Sequence, residues 1–502
     1  MTLSKLLEGV AVTKMLQKLY GQHAVTQEIQ IDRLHYDSRK IGRNDVFVAI
    51  FGNSFDGHKF IDSAVANGAK VVVVEHDTAM PDSFFMHAGV VKIVVSNSRI
   101  ALARMSANYF DRPSEKLSMI GVTGTNGKTT TAYLIKSILE YCGIKSGLLG
   151  TIEYKIGDTV IPATHTTPES LELNEMLNAM IQSGCQSAVM EVSSHALHQH
   201  RVHGIDFKAA VFTNLTQDHL DYHLSMDGYF KAKNMLFEKL TSGSCAIVNR
   251  DDEYGKNILE KTPARTISYG ITIPADVSAK NISLSMNGMT FTIVHQGEGT
   301  AIESQLTGRF NVSNILAAFG TGIALGINKK MIQAAIRETH AVRGRFEQIT
   351  SSGGWTAVID YAHTPDALEK TLKALKDVFD SSKNGKIITV FGCGGNRDRS
   401  KRSQMGLIAS SLSDVTVITS DNPRFETPES IIDEVMQGIK KGSTVFRDSD
   451  RKEAINKALG LARKGDVILV AGKGHEDYQV IEDRKIHFSD RETIEEYLRA
   501  HP

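Results

Sequence analysis

The sequence predicts an α/β protein built from three domains. Short β-branched segments alternate with amphipathic helical segments, and one glycine-rich turn joins such a segment to a helix. This alternation is typical of folds with parallel sheets. A chain of 502 residues is long enough for about three domains, since a domain has roughly 150 residues.

The β-branched segments locate the predicted domains. They lie at residues 71–74, 93–95, 120–123, 188–192, 387–391, 415–419 and 467–470. A polar break at Asp111–Ser114 precedes the third segment, and a second break at 341–345 follows a helix predicted around Met331–Thr339. We therefore predict a small N-terminal α/β domain (1–113), a central domain (114–342) and a doubly wound C-terminal domain (343–502).

The glycine-rich turn is Gly121-Val-Thr-Gly-Thr-Asn-Gly-Lys-Thr-Thr130, which follows an apolar segment and precedes helical apolar spacing. In such a loop, backbone N–H groups and a helix N-terminus face phosphates. The lysine reaches the terminal phosphates, and the next hydroxyl can hold Mg²⁺. We therefore predict a P-loop ATPase-like central domain that uses Lys128 and Thr129. A tight turn with a surface lysine is the alternative, because Val122 replaces the usual first glycine.

The composition excludes several classes of protein. With 57 basic and 57 acidic residues, the chain lacks the basic excess of a general nucleic-acid-binding protein. Its four cysteines lack the spacing of a disulfide framework or a zinc site. The sequence has no signal-peptide pattern and no apolar run of about 18 residues. We therefore expect a cytoplasmic protein that binds no nucleic acid and enters no membrane, and we expect a monomer.

Two polar segments of the central domain are candidate metal sites. Glu191-Val-Ser-Ser-His195 follows a predicted strand, and a carboxylate at a strand end can bind Mg²⁺ beside a nucleotide. The segment Asn214–His223 holds two histidines and two aspartates, a density that suits a hard metal ion. The alternative for both segments is structural: a solvated glutamate and satisfied histidines.

Two further polar segments lie at the starts of predicted helices. Asn311 and Asn314 lie in Gly308-Arg-Phe-Asn-Val-Ser-Asn314, at the start of a predicted helix. They can cap that helix or present amide groups to a nucleobase. Asp360-Tyr-Ala-His-Thr-Pro-Asp366 ends a short strand, and its Thr-Pro-Asp is also typical of a plain helix start.

Three polar loops follow strands of the C-terminal domain: Gly392–Arg402 with four cations, Asp421-Asn-Pro-Arg424, and Gly472-Lys-Gly-His-Glu476. The carboxyl ends of strands meet at one crevice of a doubly wound sheet, so we expect the loops to converge. The cations and flexible glycines suit an anionic ligand. The sequence therefore predicts a Rossmann-like domain with a binding site, although any single loop can be a plain turn.

Together these motifs resemble those of the Mur ligases, the ATP-dependent amide-forming enzymes of peptidoglycan precursor synthesis. The resemblance runs along nearly the whole chain, through Asp37-Ser-Arg39, Asp56-Gly-His58, the phosphate loop, Thr166-Thr-Pro168, Glu191–His195, Asn214–His223, Phe310-Asn-Val312, Asp360–Pro365 and Asp421–Arg424. The family's shortened phosphate loop accounts for Val122. The chain departs from the family at Arg343, where a proline is usual.

The resemblance is strongest to the branch that adds the third residue of the stem peptide. It implies ATP and Mg²⁺ as cofactors, and UDP-N-acetylmuramoyl-L-alanyl-D-glutamate and meso-diaminopimelate as substrates. The γ-phosphate of ATP would activate the D-glutamate side chain as an acyl phosphate, which the incoming amine attacks. Asp-Asn-Pro-Arg is associated with diaminopimelate, since Arg424 can pair with the carboxylate that lysine lacks.

The resemblance also implies roles for individual residues. Those expected to bind ATP are Gly124, Thr125, Asn126, Gly127, Lys128, Thr129, Thr130, Asn311, Asn314 and Arg345. Those expected to bind substrate are Ser38, Thr166, Thr167, Ser193, Gln199, Arg201, Arg397, Asp421, Asn422, Arg424, Gly472 and Glu476. The expected metal neighbourhood is Thr129, Glu191, His219 and Lys233, and the expected catalytic residues are Lys128, Lys233, His219 and Glu191.

Within these implied roles, Ser38 would lie near the UDP end of the substrate. Asp421, Asn422 and Arg424 would hold one end of the amino acid, while Arg397, Gly472 and Glu476 would hold the other. Lys233 matches the family's carbamylated lysine, whose carbamate is an anionic oxygen ligand suited to Mg²⁺. An exposed helical lysine is the alternative.

Other functions stay open beside this one. A lysine-adding Mur ligase has the same architecture. A folylpolyglutamate synthetase-like ligase shares the core, but that branch begins at the phosphate loop and lacks the segments 37–39 and 56–58. An NTP-driven binding switch needs neither the cation-rich loop around Arg397 nor the motif Asn422–Arg424.

Overall fold

The computed structural model describes residues 1–17, 28–52, 56–378 and 385–501. The chain forms two compact units. The first unit comprises residues 1–121, 143–210 and 239–244, and the second comprises residues 122–142, 211–238 and 245–502. Strands Ser118–Thr123 and Phe207–Phe212 begin in the first unit and end in the second.

The first unit contains a five-stranded sheet made from valine-rich segments. Its strands, in spatial order, are Val12–Leu16, Val91–Val95, Val71–Val74, Val46–Val48 and Leu34–His35. The first pairs antiparallel with its neighbour and the others are parallel. Successive strand residues face opposite sides. In Val71–Val74, the odd residues pack with helix Ser98–Tyr109 and the even residues with helix Ile61–Ala66.

The first unit also contains strands Ser187–Glu191, Ser146–Leu149, Glu153–Ile156 and Thr159–Pro162, which pair in this order. Its α-helices are Leu3–Leu6, Ile61–Ala66, Asp82–Ala88, Ser98–Tyr109, Ser170–Gln182 and Ser194–His198, and its 3-10 helices are Ser38–Lys40, Gly57–Phe60, Asp77–Ala79 and Pro113–Lys116. Strand Ser187–Glu191 pairs in parallel with Ser146–Leu149. The carboxylate of Glu191 therefore lies at the carboxyl end of a parallel strand, as expected.

The second unit begins with the segment that follows strand Ser118–Thr123. Strands Cys245–Asn249, Arg265–Gly270 and Val277–Ser285 pair in parallel, and Gly288–His295 and Glu298–Ser304 continue antiparallel. The helices of this part are Lys128–Tyr141, Leu220–His223, Met226–Glu238, Glu253–Lys261, Arg309–Ala324 and Lys329–Glu338. Helix Arg309–Ala324 packs against Lys128–Tyr141.

The rest of the second unit is a six-stranded sheet between two helical layers. Its strands, in spatial order, are Glu347–Thr350, Thr356–Asp360, Val467–Ala471, Ile387–Cys393, Val415–Ser420 and Thr444–Arg447, of which only the first is antiparallel. Ile387 and Phe391 face one apolar core, and Ile388 and Val390 face the other. The first core is covered by helices Pro365–Val378, Ser400–Leu412 and Pro428–Met436, and the second by Arg451–Leu461 and Asp490–Ala500.

These observations confirm the predicted α/β class and the doubly wound C-terminal sheet. Each of the seven predicted β-branched segments lies in a strand, with an end that differs by at most two residues. The helix predicted around 331–339 spans Lys329–Glu338. In the part of the chain that the structure describes, no helix is both long and apolar enough to cross a membrane. The domain boundaries near residues 113 and 342 stay predictions.

A buried ion pair joins two strands of the six-stranded sheet. Arg451 donates to both carboxylate oxygens of Asp490, at 2.7 and 2.8 Å, and both side chains are fully buried. The same guanidinium donates to the carbonyl oxygens of Ser420 and Ala471, at 3.2 and 3.0 Å. These are the last residues of their strands. Arg451 therefore holds the strand ends from which two of the polar loops depart.

We expect Asp490→Ala to destabilise the sheet, because it leaves the buried charge of Arg451 without its partner. The expected loss of unfolding free energy is about 3–5 kcal/mol. Urea denaturation followed by circular dichroism measures it. The control is Glu496→Ala, which removes an exposed ion pair with Lys452 and should change little. Equal midpoints for the two variants would contradict the role of the buried pair.

Candidate active site

The predicted phosphate loop lies between a strand and a helix. Strand Ser118–Thr123 ends directly before Gly124, and helix Lys128–Tyr141 begins directly after Gly127. These two glycines have φ of +145° and +84°, a region that favours glycine. A Cβ at either position would also clash with a neighbouring side chain. The predicted strand, turn and helix are therefore confirmed.

Two lysines converge on this loop. Lys128 Nζ donates to the carbonyl oxygens of Gly124 and Thr125, at 3.0 and 2.7 Å. Lys233, from helix Met226–Glu238, donates to the same Gly124 oxygen at 2.7 Å. Its side chain is only 1% exposed, so the alternative of an exposed helical lysine is wrong. Two basic side chains therefore lie beside one glycine-rich turn.

Lys233 lies beneath an aromatic ring. Its Nζ is 4.6 Å from the centroid of Tyr229, whose hydroxyl is 3.2 Å from Thr125 Oγ1. Burial, and then the positive charge of Lys128, hold the pKa of Lys233 well below its usual range. A lowered lysine pKa increases the fraction of neutral, nucleophilic amine.

His219 lies near the same aromatic ring. Its ring centroid is 6.1 Å from that of Tyr229, and its Nε2 is 3.4 Å from Asp218 Oδ2. It precedes helix Leu220–His223 with a φ of +55°, a conformation that is uncommon outside glycine. The structure thus brings His219 and Lys233, two residues of the predicted metal neighbourhood, to one tyrosine.

A carboxylate from the C-terminal sequence supports the phosphate loop. Asp366 Oδ2 accepts from Asn126 Nδ2 at 2.8 Å and from Thr216 Oγ1 at 3.1 Å. Asn214 supports the loop from the other side, since it exchanges hydrogen bonds of 3.0 Å with the main chain of Asn126. Sequence reasoning treated Asp366 only as part of a helix start. Helix Pro365–Val378 does begin there, so one motif serves both purposes.

Asn311 and Asn314 lie inside helix Arg309–Ala324 and are both buried. The capping interpretation is wrong, because the cap is Gly308 and no side chain caps the helix. Instead, Asn314 Nδ2 donates to Asn311 Oδ1 at 2.9 Å, and Asn311 donates to the carbonyl of Thr307 at 2.7 Å. The two amide side chains therefore form a buried, hydrogen-bonded pair whose orientation is already fixed.

A cavity of about 400 Å³ lies beside this helix, and Asn311 and Arg345 both line it. Arg345 Nη2 donates to Thr129 Oγ1 at 3.1 Å, and its guanidinium carbon is 4.5 Å from the Tyr361 ring centroid. Its Nε is buried without a hydrogen-bond partner among the described residues. A buried donor without a partner is costly, so this nitrogen suits a ligand that supplies an acceptor.

The three polar loops of the C-terminal sheet converge, as predicted. They follow three neighbouring parallel strands, Val467–Ala471, Ile387–Cys393 and Val415–Ser420. Asn422 Nδ2 donates to Glu476 Oε2 at 3.0 Å, which joins the second loop to the third. Arg424 Nη1 donates to the carbonyl of Gly395 at 2.8 Å, which joins the second loop to the first.

Arg397 and Arg424 are the predicted carboxylate-binding cations. Burial, and then the charge of Arg397, lower the pKa of Arg424, so the two guanidinium groups repel each other. Arg424 has a φ of +52°. Its N–H donates to Val480 at 3.0 Å, and its carbonyl accepts from Glu482 at 2.8 Å. The hairpin of strands Tyr478–Ile481 and Arg484–His487 therefore holds the arginine in place.

Lys473 is the residue that sequence reasoning missed at this site. Its Nζ is 3.2 Å from Asp421 Oδ1, 3.1 Å from Asn422 Oδ1 and 3.3 Å from Glu476 Oε2. The residues expected to hold opposite ends of an amino acid thus share one buried ammonium. The sequence signal was a lysine between two glycines, but nothing in that pattern reveals that the lysine is buried.

The two carboxylates of this cluster titrate differently. Burial favours protonation of Asp421, but the charges of Lys473 and Arg451 prevail and hold its pKa below the usual range. Burial, and then the charge of Asp421, raise the pKa of Glu476. Gly472 has a φ of +115°, and a Cβ there would lie 3.2 Å from Asp421 Oδ2. A glycine at this position lets the third loop approach the second.

The first unit contains a separate polar network around Glu191. Glu191 Oε1 accepts from the Thr151 N–H at 2.9 Å, and Oε2 accepts from the Thr151 hydroxyl at 3.0 Å. The Thr166 hydroxyl is 3.1 Å from that of Thr151. The Thr167 hydroxyl donates to the Glu191 carbonyl at 2.8 Å. Thr151, which no motif marked, therefore orients the predicted metal ligand.

The remaining predicted substrate residues extend this network. Ser193 N–H donates to Thr167 Oγ1 at 3.0 Å, and Arg201 donates to the Thr167 carbonyl at 2.9 Å. Arg201 also donates to Gln199 Oε1 at 2.7 Å. Ser38 begins a 3-10 helix that is capped by the preceding aspartate.

The protein side chains do not by themselves form a complete set of ligands for the predicted metal ion. Among the described residues, no group of three histidine, cysteine, aspartate or glutamate side chains is arranged to hold a metal ion. Mg²⁺ typically binds through one or two carboxylates together with substrate phosphates and water. The hydroxyl of Thr129 in the second unit and the carboxylate of Glu191 in the first unit are each oxygen donors of the kind that Mg²⁺ prefers. The protein groups therefore fit a metal ion that binds together with a nucleotide.

Three family models match successive parts of the chain. The model of the Mur ligase family, catalytic domain, matches residues 30–110. The Mur ligase middle domain matches residues 122–322, and the Mur ligase, glutamate ligase domain, matches residues 344–474.

Known relatives are similar over nearly their whole length. A UDP-N-acetylmuramoyl-L-alanyl-D-glutamate–2,6-diaminopimelate ligase of Clostridium tetani is 46% identical over 94% of this chain and 95% of that protein. Its namesake from Clostridium botulinum is 44% identical over the same shares. A solved structure with that enzyme name has a TM-score of 0.68 at 32% identity, over 96% of this chain and 97% of the other. Since three family models follow one another along a chain with such relatives, the chain belongs to the Mur ligase family.

Proposed function

We propose that this chain is an ATP-dependent ligase that adds meso-diaminopimelate to UDP-N-acetylmuramoyl-L-alanyl-D-glutamate, in the cytoplasm where ATP is available. One observation carries the proposal. The unit that contains the phosphate loop also contains a cluster of two arginines and two carboxylates, at the carboxyl ends of parallel strands. Such a cluster complements a ligand end that bears both an ammonium and a carboxylate. The names of the relatives give the same substrates.

The proposed reaction has two steps. A carboxylate is a poor electrophile, so the γ-phosphate of ATP is first transferred to the D-glutamate side chain, which forms an acyl phosphate and ADP. The neutral amine of diaminopimelate then attacks the acyl carbon, phosphate leaves and the amine loses a proton. The enzyme contributes mainly by positioning the reactants and neutralising charge. Lys128 would serve the terminal phosphates, since its ammonium already lies in the loop.

Mg²⁺ would be held by Thr129, Glu191, His219 and a carbamylated Lys233. When bound, the ion neutralises phosphate charge. In carbamylation the neutral amine of Lys233 forms a bond between Nζ and the carbon of CO₂ and loses one proton, so that an anionic carbamate takes the place of the amine. Its support here is the burial of Lys233, its lowered pKa and its place beside the phosphate loop.

Diaminopimelate rather than lysine is the better match for the C-terminal cluster. Lysine presents only an ammonium at its far end, whereas diaminopimelate presents an ammonium and a carboxylate. Arg424 and Arg397 donate to main-chain carbonyl oxygens, which are uncharged. A substrate carboxylate would compensate the guanidinium charges, and lysine cannot provide it.

We expect Lys128→Ala to lower kcat by on the order of 10²-fold or more, because the lost ammonium acts in phosphoryl transfer. ADP release in the presence of both substrates measures the effect. Lys136→Ala is a control on the same helix, since Lys136 pairs with Glu140. A Lys128→Ala enzyme with near-normal kcat would contradict the proposed ATP site.

We expect Lys233→Ala to be nearly inactive, because the carbamate anion cannot form. Added formate or acetate should restore part of the activity by supplying an anion in its place. Lys231→Ala is the matched control, because Lys231 lies on the same helix and pairs with Asp227 at the surface. Intact-mass evidence of an unmodified lysine in a fully active preparation would refute the carbamate.

We expect wild-type kcat/KM to favour meso-diaminopimelate over L-lysine by roughly 30- to 5,000-fold, since an uncompensated charge on binding costs about 2–5 kcal/mol. Arg424→Lys and Arg397→Ala should each reduce this ratio, mainly by lowering kcat/KM for diaminopimelate. Each substitution removes a guanidinium group that can bind a carboxylate through two hydrogen bonds. Arg399→Lys is the control, since Arg399 lies in the same loop as Arg397 but pairs with Glu434 of helix Pro428–Met436.

ADP release with the UDP-dipeptide, with and without each amino acid, tests the function as a whole. A diaminopimelate ligase needs both substrates. Release that depends on neither would favour a nucleotide-driven switch. Equal values for both amino acids, or a preference for lysine, would overturn the substrate assignment but not the family.

A further inference from the structure

Lys473 places a buried ammonium group among the groups that would bind the amino acid. Its side chain is fully buried, and its ammonium lies within 3.3 Å of Asp421, Asn422 and Glu476. An incoming substrate ammonium would need the same three acceptors. A side chain of the protein therefore already occupies these acceptors.

This lysine changes the net charge that a ligand meets. The charged groups that interact across the cluster comprise three cations and two anions: Lys473, Arg397, Arg424, Asp421 and Glu476. The nearby Arg451 is compensated by Asp490. The cluster thus carries one net positive charge, and without Lys473 it would be neutral. A ligand end with a single ammonium is repelled in the first case and not in the second.

The acceptors around Lys473 are held rigidly, which keeps the ammonium in place. Asn422 Oδ1 also accepts from the Val480 N–H at 2.9 Å, and the Gln479 side chain donates to the Asp421 carbonyl at 2.8 Å. The ring of Tyr478 lies 5.8 Å from the Lys473 ammonium. These contacts join the second loop to the hairpin around the buried lysine.

We propose that Lys473 is a specificity-determining residue, whose charge excludes amino acids with a cationic far end and admits those whose far end is zwitterionic or anionic. This inference rests on the proposed function, since it takes the cluster to be the amino-acid site. It assigns the rejection of lysine to two causes: an uncompensated arginine pair and a built-in ammonium that repels a second one.

The test uses Lys473→Met and two probes that share one chain and differ in the terminal group, which is an ammonium in L-lysine and a carboxylate in L-2-aminopimelate. Each is measured as a competitive inhibitor of meso-diaminopimelate turnover. In Lys473→Met, lysine should bind more tightly and aminopimelate less tightly, so that the ratio of their inhibition constants shifts by at least about tenfold. The assays are run at about pH 8.5, because Glu476 has a raised pKa and must stay ionised.

Lys485→Met is the matched control. Lys485 is exposed, and its ammonium lies 4.2 Å from the ring of Tyr478, the same residue that Lys473 faces. It should leave the ratio unchanged. If Lys473→Met weakens both probes by the same factor, or if the ratio does not move, Lys473 is only structural and the proposal is overturned.

A second variant covers the case in which Lys473→Met does not fold. Glu476→Gln removes one negative charge from the same cluster and should shift the ratio in the opposite direction, towards aminopimelate. A shift towards lysine, or no shift, would also overturn the proposal. Failure of the proposed function looks different, because the wild-type enzyme would then not use diaminopimelate at all or would prefer lysine.

Discussion

The proposed amino-acid site depends on one buried guanidinium. Arg451 joins the ends of strands Val415–Ser420 and Val467–Ala471 through their carbonyl oxygens, and Asp490 fixes its orientation. These two strands flank strand Ile387–Cys393. The loops that begin at Asp421 and Gly472 leave the sheet directly after these anchored residues. Because strand ends in a parallel sheet have unpaired carbonyl groups, a planar donor that satisfies two of them also sets the distance between the loops. The positions of the polar residues in these two loops therefore depend on Arg451.

The phosphate loop is organised by the same physical means. The buried amine of Lys233 donates to the main chain of the loop, where the ammonium of Lys128 also donates. At Arg451 and at the phosphate loop, hydrogen bonds to carboxylate or carbonyl oxygens offset the cost of burying a basic group. Such arrangements tolerate little displacement, since each charge loses its compensation when a partner moves. A site for polyanionic and zwitterionic ligands needs this rigidity.

The strands and the convergence of the polar loops could be predicted from the sequence, whereas the roles of several buried residues could not. Valine-rich runs such as 71–74 became strands because β-branched side chains fit a sheet that is buried on both faces. The polar loops converged because parallel strands end at one edge. Lys473, Thr151 and Arg451 were missed, since their roles come from burial and from partners distant in the chain. The cap at Gly308 was missed because backbone conformation, with φ of +88°, decided it.

The contact between Asp366 and Asn126 has a consequence for how the molecule can be divided. The loop that would hold phosphate is completed by a carboxylate from the sequence beyond residue 342, and Thr129 is contacted by Arg345 from the same stretch. A fragment cut at the predicted boundary would keep the loop residues and lose two of the groups that position them. The predicted middle domain alone therefore does not contain all the residues that position the phosphate loop. Substitutions beyond residue 342 can change nucleotide binding.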